Sequence, residues 1–253
     1  MIRIIPIASG STGNALYLQI DDHKLLIDAG VSCKKIRSAL NNNGIELSDI
    51  DALFITHSHY DHISGLKVTS KNLGCNAFAS KRTIDDVFSL CTLRKIKMEY
   101  DEKTEVLPGL FVTLFETSHD CAGSGGFVFE TENEKVAYAT DLGYVSDKIK
   151  EYLKGSRVVI LESNHDVEML KNGPYPADLK KRIFSKHGHL SNAECAEEII
   201  DLYDSGTRHF LLAHLSQENN TPEKALQETL NALNGKQADI YVCPVYTTEI
   251  KEY

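Results

Sequence analysis

The pattern of apolar and polar positions along the chain predicts short buried strands that alternate with amphipathic helices. Compact apolar runs between turn-forming residues predict strands at residues 3–7, 15–20, 25–27, 51–56, 75–79, 97–100, 110–115, 127–130, 135–139, 157–161, 208–213 and 240–243. Helical periodicity and capping residues predict helices at residues 31–43, 66–72, 83–93, 144–153, 193–203 and 222–233. The segment 167–186 shows neither pattern, so we expect it to be irregular.

Several of the predicted strands end in side chains that are common metal ligands in proteins. These strand-end residues are Asp28, His119, Asp141, Glu162, His165 and His214. Open α/β sheets bind their ligands at the carboxyl ends of the strands, so we expect side chains from distant segments to meet in one site. The plainer alternatives are an ordinary loop histidine at 119 and a carboxylate at 141 that caps the helix at 144–153.

The densest group of metal-binding side chains is His57-Ser58-His59-Tyr60-Asp61-His62, which follows an apolar run directly. Three imidazoles this close together would raise one another's cost of protonation if no ligand held them. Four donors are also more than one ion normally takes from a single segment, which favours two metal ions. A single-metal site and a solvated loop with incidental histidines are the less favoured alternatives.

The strand-end residues and this segment together suffice for two divalent ions. The predicted ligands are His57, His59 and His119 for one ion, Asp61, His62 and His214 for the other, and Asp141 as a bridge between them. A carboxylate can bridge two ions because each of its oxygens binds one. We expect Asp28, Glu162 and His165 to orient ligands rather than to coordinate. Nitrogen and oxygen donors without cysteine suit zinc or manganese and do not decide between them.

Composition limits the number of domains and the kind of partner. The 253 residues, 42% of them hydrophobic, can bury one large core, and no linker, low-complexity run or repeat divides them. We therefore predict a single domain over residues 1–253. The net charge of −9 argues against a protein that coats nucleic acid by its overall charge. The segment 171–186 nevertheless carries five basic residues against one acid, which indicates a local basic groove or a solvated charged face.

The cysteines and the first residues indicate where the protein is located. The six cysteines, at positions 33, 75, 91, 121, 195 and 243, have no paired spacing and are expected to be buried reduced thiols. The first residues lack the order of a signal peptide, and no run of 18 apolar residues occurs. We expect a cytoplasmic protein without a membrane segment, and the sequence leaves its oligomeric state open.

The order of these motifs along the chain resembles that of the metallo-β-lactamase superfamily. This resemblance implies an α+β fold, the αββα sandwich of two mixed sheets with helices on the outer faces. The segments 9–14, 57–65, 140–144, 161–166, 188–192 and 214–220 are similar to the YycJ/WalJ group of bacterial proteins, which implies a DNA exonuclease that acts from the 5′ end. Glu162-Ser163-Asn164 and Gly188-His189-Leu190-Ser191 also resemble the RNase J and cleavage-factor nucleases, where the second motif contacts phosphate. The chain is too short to carry the extra domain of those enzymes.

The favoured hypothesis is metal-dependent hydrolysis of a phosphodiester in nucleic acid, with DNA as the expected substrate. Asp61 would orient or deprotonate the nucleophile, and His189 would bind phosphate or assist the leaving oxygen. The further phosphate-binding candidates are Lys180, Lys181, Arg182, Lys186, His187, Ser191 and Asn192. Hydrolysis of a small thioester, lactone or lactam is the first alternative, because the same two-metal core would suffice for it. A metal-binding regulator without catalysis is the second alternative.

Overall fold

The computed structural model of the protein describes residues 1–253. Its strands are β1 (Ile2–Ala8), β2 (Ala15–Ile20), β3 (His23–Ile27), β4 (Ala52–Phe54), β5 (Asn76–Ser80), β6 (Lys95–Met98), β7 (Lys103–Leu107), β8 (Leu110–Glu116), β9 (Gly125–Glu130), β10 (Lys135–Ala139), β11 (Val158–Glu162), β12 (His209–Ala213), β13 (Asp239–Val242) and β14 (Lys251–Glu252). Its helices are α1 (Cys33–Asn41), α2 (Tyr60–Ile63), α3 (Leu66–Thr69), α4 (Lys81–Asp86), α5 (Asp147–Leu153), α6 (Val167–Asn172), α7 (Ala177–Ile183), α8 (Asn192–Asp204) and α9 (Pro222–Leu233), with a 3-10 turn at Leu47–Asp49.

The strands belong to two sheets of seven, and the chain divides into two compact units. Unit 1 consists of residues 1–116, 121–134 and 244–253, and unit 2 consists of residues 117–120 and 135–243. The prediction of a single domain over 1–253 stays a prediction. None of the helices combines the length and the apolar character that crossing a membrane requires.

The first sheet lies in unit 1 and has the strand order β14-β1-β2-β3-β4-β5-β6. Strands β1, β2 and β3 are antiparallel, whereas β3 to β6 run parallel. Every residue of β4 is buried, as expected of a parallel strand that is covered on both faces. The carboxyl ends of β3 and β4 therefore meet at one edge, and the residues that follow them there include Asp28 and the His57–His62 segment.

Unit 1 also contains the antiparallel strands β7, β8 and β9 of the second sheet. Phe54 of the first sheet packs edge-on against Phe127 and Phe129 of β9, with ring centroids 5.3 and 5.0 Å apart. Its ring also stacks on Phe78 of β5 at 5.2 Å. Such aromatic packing contributes beyond the buried area alone, so these rings hold the strand that precedes the histidine segment.

Unit 2 contains the parallel strands β10, β11, β12 and β13. Each of the first three strands has a candidate ligand at its carboxyl end. Asp141 lies two residues after β10, Glu162 is the last residue of β11, and His214 follows β12 directly. Parallel pairing in register brings these three side chains to the same edge of the sheet. The strand-end pattern of the sequence therefore corresponds to one edge of this unit.

The helix boundaries agree with the sequence where capping and packing act together. Ser191 caps α8 in a capping box with Glu194, and α9 has the predicted bounds. The prediction of a helix at 83–93 was wrong, because α4 ends at Asp86. The oxygen of Ser70 accepts the backbone N–H of Thr92 at 3.1 Å, so tertiary hydrogen bonding replaces the helical bond there.

The expectation of irregular structure at 167–186 was also wrong, since α6 and α7 lie in this segment. Asp166 caps α6 by accepting the N–H of Met169 at 2.7 Å. No side chain of α7 is fully buried, so the helix lacks the apolar periodicity by which a sequence reveals a helix. The strands β7 and β14 were missed for a related reason, because both are short edge strands with polar residues.

Candidate metal centre

The first group of candidate ligands lies in unit 1, where the chain passes from β4 into α2. His57 and His62 are buried, and His59 and Asp61 are half-buried. The ring of His57 lies 4.8 Å from that of His59 and 4.1 Å from that of His62, measured between centroids. The short helix that begins at Tyr60 turns Asp61 and His62 back toward the preceding histidines. All four predicted ligands of this segment are therefore brought together.

Asp28 orients this group through hydrogen bonds and is fully buried. Its Oδ1 accepts the backbone N–H of Thr56 at 2.9 Å, and its Oδ2 accepts the Thr56 hydroxyl at 2.8 Å. The same Oδ2 lies 2.8 Å from Nδ1 of His62. A carboxylate on Nδ1 sets the tautomer and rotation of an imidazole, so that Nε2 can act as the donor to a metal. These contacts support the predicted orienting role of Asp28.

The loop at residues 9–14 contributes a partner that sequence reasoning missed. Asn14 Nδ2 donates to Oδ2 of Asp61 at 3.1 Å, and the Asn14 backbone N–H donates to the Asp61 carbonyl at 2.7 Å. Gly30 lies against the same carbonyl, and a Cβ at this glycine would sit 1.6 Å from the Asp61 oxygen. The signal in the sequence was the Ser-Gly-Ser-Thr-Gly-Asn motif at 9–14, which indicated the family resemblance but not this contact.

Replacing Asp28 with asparagine is expected to lower the affinity for divalent metal by roughly 10–100-fold, because the carboxylate that orients His62 is lost. Asparagine tolerates the left-handed backbone of this position, where φ is 60°, so the fold should be retained. Titration of the metal-stripped protein with Mn²⁺ or Zn²⁺ measures the effect. Asp22→Asn, at an exposed turn, is the control. An unchanged affinity would show that Asp28 has no part in orienting the ligand.

The second group lies in unit 2 and consists of Asp141, Glu162, His189 and His214. One ligand atom from each of these residues lies within 4.8 Å of those of the other three. Asp141 Oδ1 is 3.6 Å from Nε2 of His214 and 3.9 Å from Nδ1 of His189. The neighbouring His119 places its Nε2 3.7 Å from the same oxygen. Asp141 is thus the central carboxylate of this unit, and Ser146 rather than Asp141 caps α5.

Glu162 holds two of these histidines in place. Its Oε1 lies 2.7 Å from Nδ1 of His189 and 2.9 Å from Nδ1 of His214. Its Oε2 accepts the backbone N–H groups of Leu142 at 2.8 Å and Leu190 at 3.3 Å. Burial raises the pKa of Glu162, but the charges and hydrogen bonds of His189 and His214 outweigh it and lower the pKa to about 2. Glu162 is therefore a carboxylate that orients both rings.

The pKa values of His119 and His189 shift in opposite directions because the surroundings of the two rings differ. Burial lowers the pKa of His189, but the charge of Glu162 and its hydrogen bond outweigh this effect and raise the pKa overall. Burial is also the main influence on His119 and lowers its pKa, since no carboxylate touches it as closely. Relative to an ordinary histidine, the pKa of His119 is shifted toward the neutral form that binds metals, and that of His189 toward the cationic form that binds anions.

The residues of both units fit a divalent metal. Each group combines imidazole and carboxylate donors with no cysteine among them, and a buried carboxylate contacts Nδ1 of a histidine in each case. This carboxylate–histidine pairing is the usual support of a metal ligand. The chain thus carries clustered donors suited to divalent metal where the strand-end pattern indicated them.

Two predicted phosphate contacts, Ser191 and Asn192, are corrected by the structure. The hydroxyl of Ser191 donates to Oε2 of Glu194 at 2.7 Å and accepts the Glu194 N–H at 3.2 Å. The backbone N–H of Asn192 donates to the carbonyl of His165 at 2.8 Å. Both residues are buried and their bonds are made within the protein, so neither side chain is available to a phosphate in this structure.

The predicted orienting role of His165 is also corrected. Its ring is buried, and neither ring nitrogen has a hydrogen-bond partner. The ring packs edge-on against Phe184 with centroids 5.3 Å apart. Burial lowers the pKa of His165 to about 4, so the ring is neutral. His165 therefore contributes packing beneath α7 rather than a contact to a predicted ligand.

The basic residues predicted to bind phosphate lie on α7 and in the loop that leads to His189. Lys181, Lys186 and His187 are exposed. Lys180 donates to the carbonyl of Lys171 at 2.8 Å, and Arg182 pairs with Asp120 at 2.5 Å. The N–H of His189 donates to the carbonyl of Ile183 at 3.1 Å, which connects the helix directly to that histidine.

An asparagine network holds the loops that carry the unit 2 ligands, and its members lie in the motif segments 161–166, 188–192 and 214–220, although their spacing did not indicate that they bond to one another. Asn220 Nδ2 donates to the carbonyls of Ser163 and Asn164, both at 3.0 Å. The amides of Asn192 and Asn220 bond to each other at 2.9 and 2.8 Å. Asn164 Nδ2 then donates to the carbonyl of His214 at 2.9 Å. The network joins the loops after β11 and β12 to the start of α8.

Asn220→Ala is expected to lower the free energy of unfolding by about 2–3 kcal/mol, because it leaves several buried polar groups without partners. Denaturant unfolding of the metal-stripped protein measures this effect. The exposed Asn231, on the outside of α9, provides the matched control, and Asn231→Ala should change the free energy by less than about 0.5 kcal/mol. Equal effects of the two substitutions would contradict the role assigned to the network.

Comparisons with known proteins agree with this fold. The model of the Beta-lactamase superfamily domain matches residues 23–215. Among solved structures, YhfI from Bacillus subtilis, a metallo-beta-lactamase fold protein, aligns with a TM-score of 0.77 at 16% identity, over 100% of this chain and 99% of that one. Zn²⁺-bound PqqB from Methylobacterium extorquens aligns with a TM-score of 0.74 at 16% identity over the whole of both chains. The chain belongs to the β-lactamase superfamily, and the predicted αββα fold is confirmed.

Sequence similarity narrows the family further. The chain is 37% identical to "Exodeoxyribonuclease YycJ" of Bacillus anthracis over 235 residues, which are 91% of this chain and 88% of the relative. It is also 37% identical to "Exodeoxyribonuclease WalJ" of Streptococcus pneumoniae serotype 2 over 241 residues, 93% of this chain and 89% of the relative. The resemblance to the YycJ/WalJ group is thus confirmed.

Proposed function

We propose that the protein is a metal-dependent phosphodiester hydrolase that removes nucleotides from the 5′ end of DNA. The observation that carries this proposal is the unit 2 group, in which Glu162 holds His189 and His214 beside Asp141. A histidine with a raised pKa beside candidate metal ligands suits a phosphate ester. The similarity to two exodeoxyribonucleases supports the same substrate class and favours it over a small ester and over a regulator without catalysis.

We further propose that two divalent ions, zinc or manganese, bind with the partition predicted from the sequence. The proposed ligands are His57, His59 and His119 for one ion, Asp61, His62 and His214 for the other, and Asp141 for both. Divalent ions in such a site supply an activated water and neutralise charge on the phosphate. Cytoplasmic location and the choice of DNA over RNA stay predictions.

The residues of the chain then have distinct roles in the reaction. Asp61 orients the attacking water and accepts its proton as the water oxygen bonds to phosphorus. The bond between phosphorus and the 3′ oxygen of the released nucleotide breaks, and His189 donates a proton to that oxygen. Nδ1 of His189 contacts Glu162, so Nε2 is the atom proposed to act on the substrate. The raised pKa of His189 suits a proton donor.

The exposed basic residues near His189 are proposed to bind the nucleic acid backbone. Lys181, Lys186 and His187 are accessible, whereas Lys180 and Arg182 bind only after their contacts with Lys171 and Asp120 are exchanged. Contacts of this kind carry little sequence information and weaken as salt rises. The affinity for DNA is therefore expected to fall with increasing ionic strength.

The proposed function is tested by release of nucleotides from 5′-phosphorylated duplex DNA with Mn²⁺ or Zn²⁺ present. We expect mononucleotides from the 5′ end, no release after removal of metal by a chelator, and recovery when metal is restored. A matched RNA duplex and a small thioester serve as comparison substrates. Hydrolysis of the thioester without release from either nucleic acid would overturn the proposal.

A further inference from the structure

The most exposed large hydrophobic residue of the protein is Tyr60, which lies between the proposed ligands His59 and Asp61. It is 82% exposed, ahead of Phe88 at 67% and Met1 at 66%. Single exposed hydrophobic residues are common on protein surfaces. This one is unusual because both of its neighbours in the chain are candidate metal ligands. The ring has no part in the proposed reaction, so its position needs another explanation.

The backbone around Tyr60 is held in place, whereas its side chain is free. α2 begins at Tyr60, whose carbonyl accepts the N–H of Ser64 at 2.8 Å. Two residues before it, the hydroxyl of Ser58 donates to Asp86 of α4 at 2.9 Å. The Tyr60 hydroxyl has no hydrogen-bond partner in the protein, and no aromatic or cationic side chain contacts the ring. Tyrosine has only two side-chain torsions, so a ring on a fixed backbone loses little conformational entropy when a ligand stacks on it.

The candidate ligands on either side of Tyr60 reach the same surface as the ring. His59 and Asp61 are both half-buried. Consecutive Cα atoms lie about 3.8 Å apart, so the ring begins one residue from each donor. A nucleotide whose phosphate reaches these donors brings its own base, or the base of the next nucleotide, within reach of the ring.

A nucleobase is the occupant that suits a single exposed ring. Proteins that bind single strands stack bases on aromatic side chains, and every base has a face that can stack. Inside a duplex, both faces of a base are covered by its neighbours in the stack. Only an unpaired base or a base at a strand end offers a free face. The ring therefore favours strand ends and unpaired bases over the paired interior of a duplex.

A second copy of this chain is the competing occupant of the ring. A stable protein interface buries roughly 800 Å² on each partner, which takes many residues. The segment 57–62 contains one exposed ring and no other hydrophobic side chain, because its remaining residues are histidines, a serine and an aspartate. This composition suits contact with one base better than contact with a protein surface.

We propose that Tyr60 stacks on an unpaired base next to the cleaved phosphate, so that the site selects strand ends over the paired interior of DNA. The inference rests on the proposed function and adds to it the residue that recognises the strand end. Because every base can stack, this selection carries no preference for a particular sequence. The ring rather than the hydroxyl makes the contact, so phenylalanine or tryptophan should be able to replace tyrosine.

The absence of tryptophan from the chain allows a direct test of stacking. Tyr60→Trp introduces one tryptophan at this position, and stacking on a base should quench its fluorescence. The Zn²⁺-loaded variant is titrated with a 5′-phosphorylated single strand whose first linkage is a phosphorothioate, which slows cleavage. We expect saturable quenching by this strand. The same strand with abasic sites on both sides of the first linkage, or a relaxed covalently closed duplex, should cause little quenching.

The matched control is Phe111→Trp. Phe111 is also exposed, at 36%, but it lies near the start of β8 and outside the donor segment. The fluorescence of this variant should be unchanged by all three DNAs.

Nucleotide release from the intact and abasic strands provides a second measurement. The wild-type protein should have a kcat/KM about 10-fold lower on the abasic strand than on the intact one, because the stacked base is missing. Tyr60→Ala should lower kcat/KM for the intact strand about 10-fold and show no further loss on the abasic strand. Tyr60→Phe and Phe111→Ala should both match the wild type.

Thermal unfolding and metal content of each variant separate these effects from folding and from metal binding. Quenching by the intact strand but not by the abasic strand supports the inference even if no DNA is cleaved, in which case only the proposed function fails. Equal quenching by the two strands or by the closed duplex, no quenching, or equal wild-type kcat/KM on the two strands overturns the inference. A wild-type dimer that Tyr60→Ala converts to a monomer in sedimentation also overturns it, since the second copy would then cover the ring.

Discussion

Asp61→Ala is expected to abolish hydrolysis of DNA, with kcat/KM lowered by roughly 10³-fold or more. Asp61 is proposed to bind metal and to accept the proton of the nucleophile, so its loss removes several kcal/mol of transition-state stabilisation. The protein should remain folded, because the Asp61 side chain is only half-buried; its contacts include the hydrogen bond from Asn14 at 3.1 Å and the approach to Nε2 of His62 at 3.5 Å. Steady-state release of nucleotides from 5′-phosphorylated duplex measures the effect.

The matched control for this experiment is Asp22→Ala, which removes an exposed carboxylate far from the site in sequence. It should retain wild-type activity and metal content. Metal content of Asp61→Ala, measured by elemental analysis, should fall relative to the control. Full turnover by folded Asp61→Ala would refute its assignment to the second metal and to proton transfer.

Glu162→Gln is expected to have the second-largest effect, because it damages both stability and catalysis. Replacing one partner of a buried charged group costs about 3 kcal/mol in the free energy of unfolding. Loss of the carboxylate that orients His189 and His214 should lower kcat/KM by roughly 100-fold. Glu151→Gln, an exposed substitution on α5, should change neither quantity. Denaturant unfolding and nucleotide release measure them in parallel, and wild-type values for both in Glu162→Gln would contradict the role assigned to the carboxylate.

The lowered pKa of Glu162 also predicts how the free energy of unfolding depends on pH. Burial raises the pKa of Glu162, but the two histidines outweigh it and hold it at about 2, below the ordinary value of 4.5. A pKa lowered by folding stabilises the native state above the ordinary value, and this contribution is lost as pH falls from about 4.5 toward 2. The expected loss for the metal-stripped protein is roughly 3 kcal/mol. Unfolding curves over this range should show a weaker acid dependence in Glu162→Gln than in the wild type.

Several features of the site were predictable because they depend on local spacing. The His57–His62 segment contains four donors within six residues, and the backbone between them is too short to separate them. Strand-end placement indicated Asp141 and His214 because parallel strands align their carboxyl ends. The orienting role of Asp28 was likewise expected from its position after β3, and its contact with His62 supports it.

Other features could not be predicted because they depend on which loops meet. Ser191 and Asn192 looked like a phosphate site, yet Glu194 and His165 satisfy their polar groups. The segment 167–186 showed no apolar periodicity, since α7 buries no side chain completely. The sequence also did not distinguish Tyr60 as an exposed ring, because its exposure depends on which elements pack against α2.

The sequence alone determined the chemistry of the donors, the strands that deliver them and the family to which the chain belongs. Those properties follow from residue types and short spacings, which tertiary packing does not alter. Only the tertiary structure decided that Glu162 supports His189 and His214 and that an asparagine network joins their loops. Such contacts join residues that are distant in the chain, so they depend on strand register and on the packing of loops.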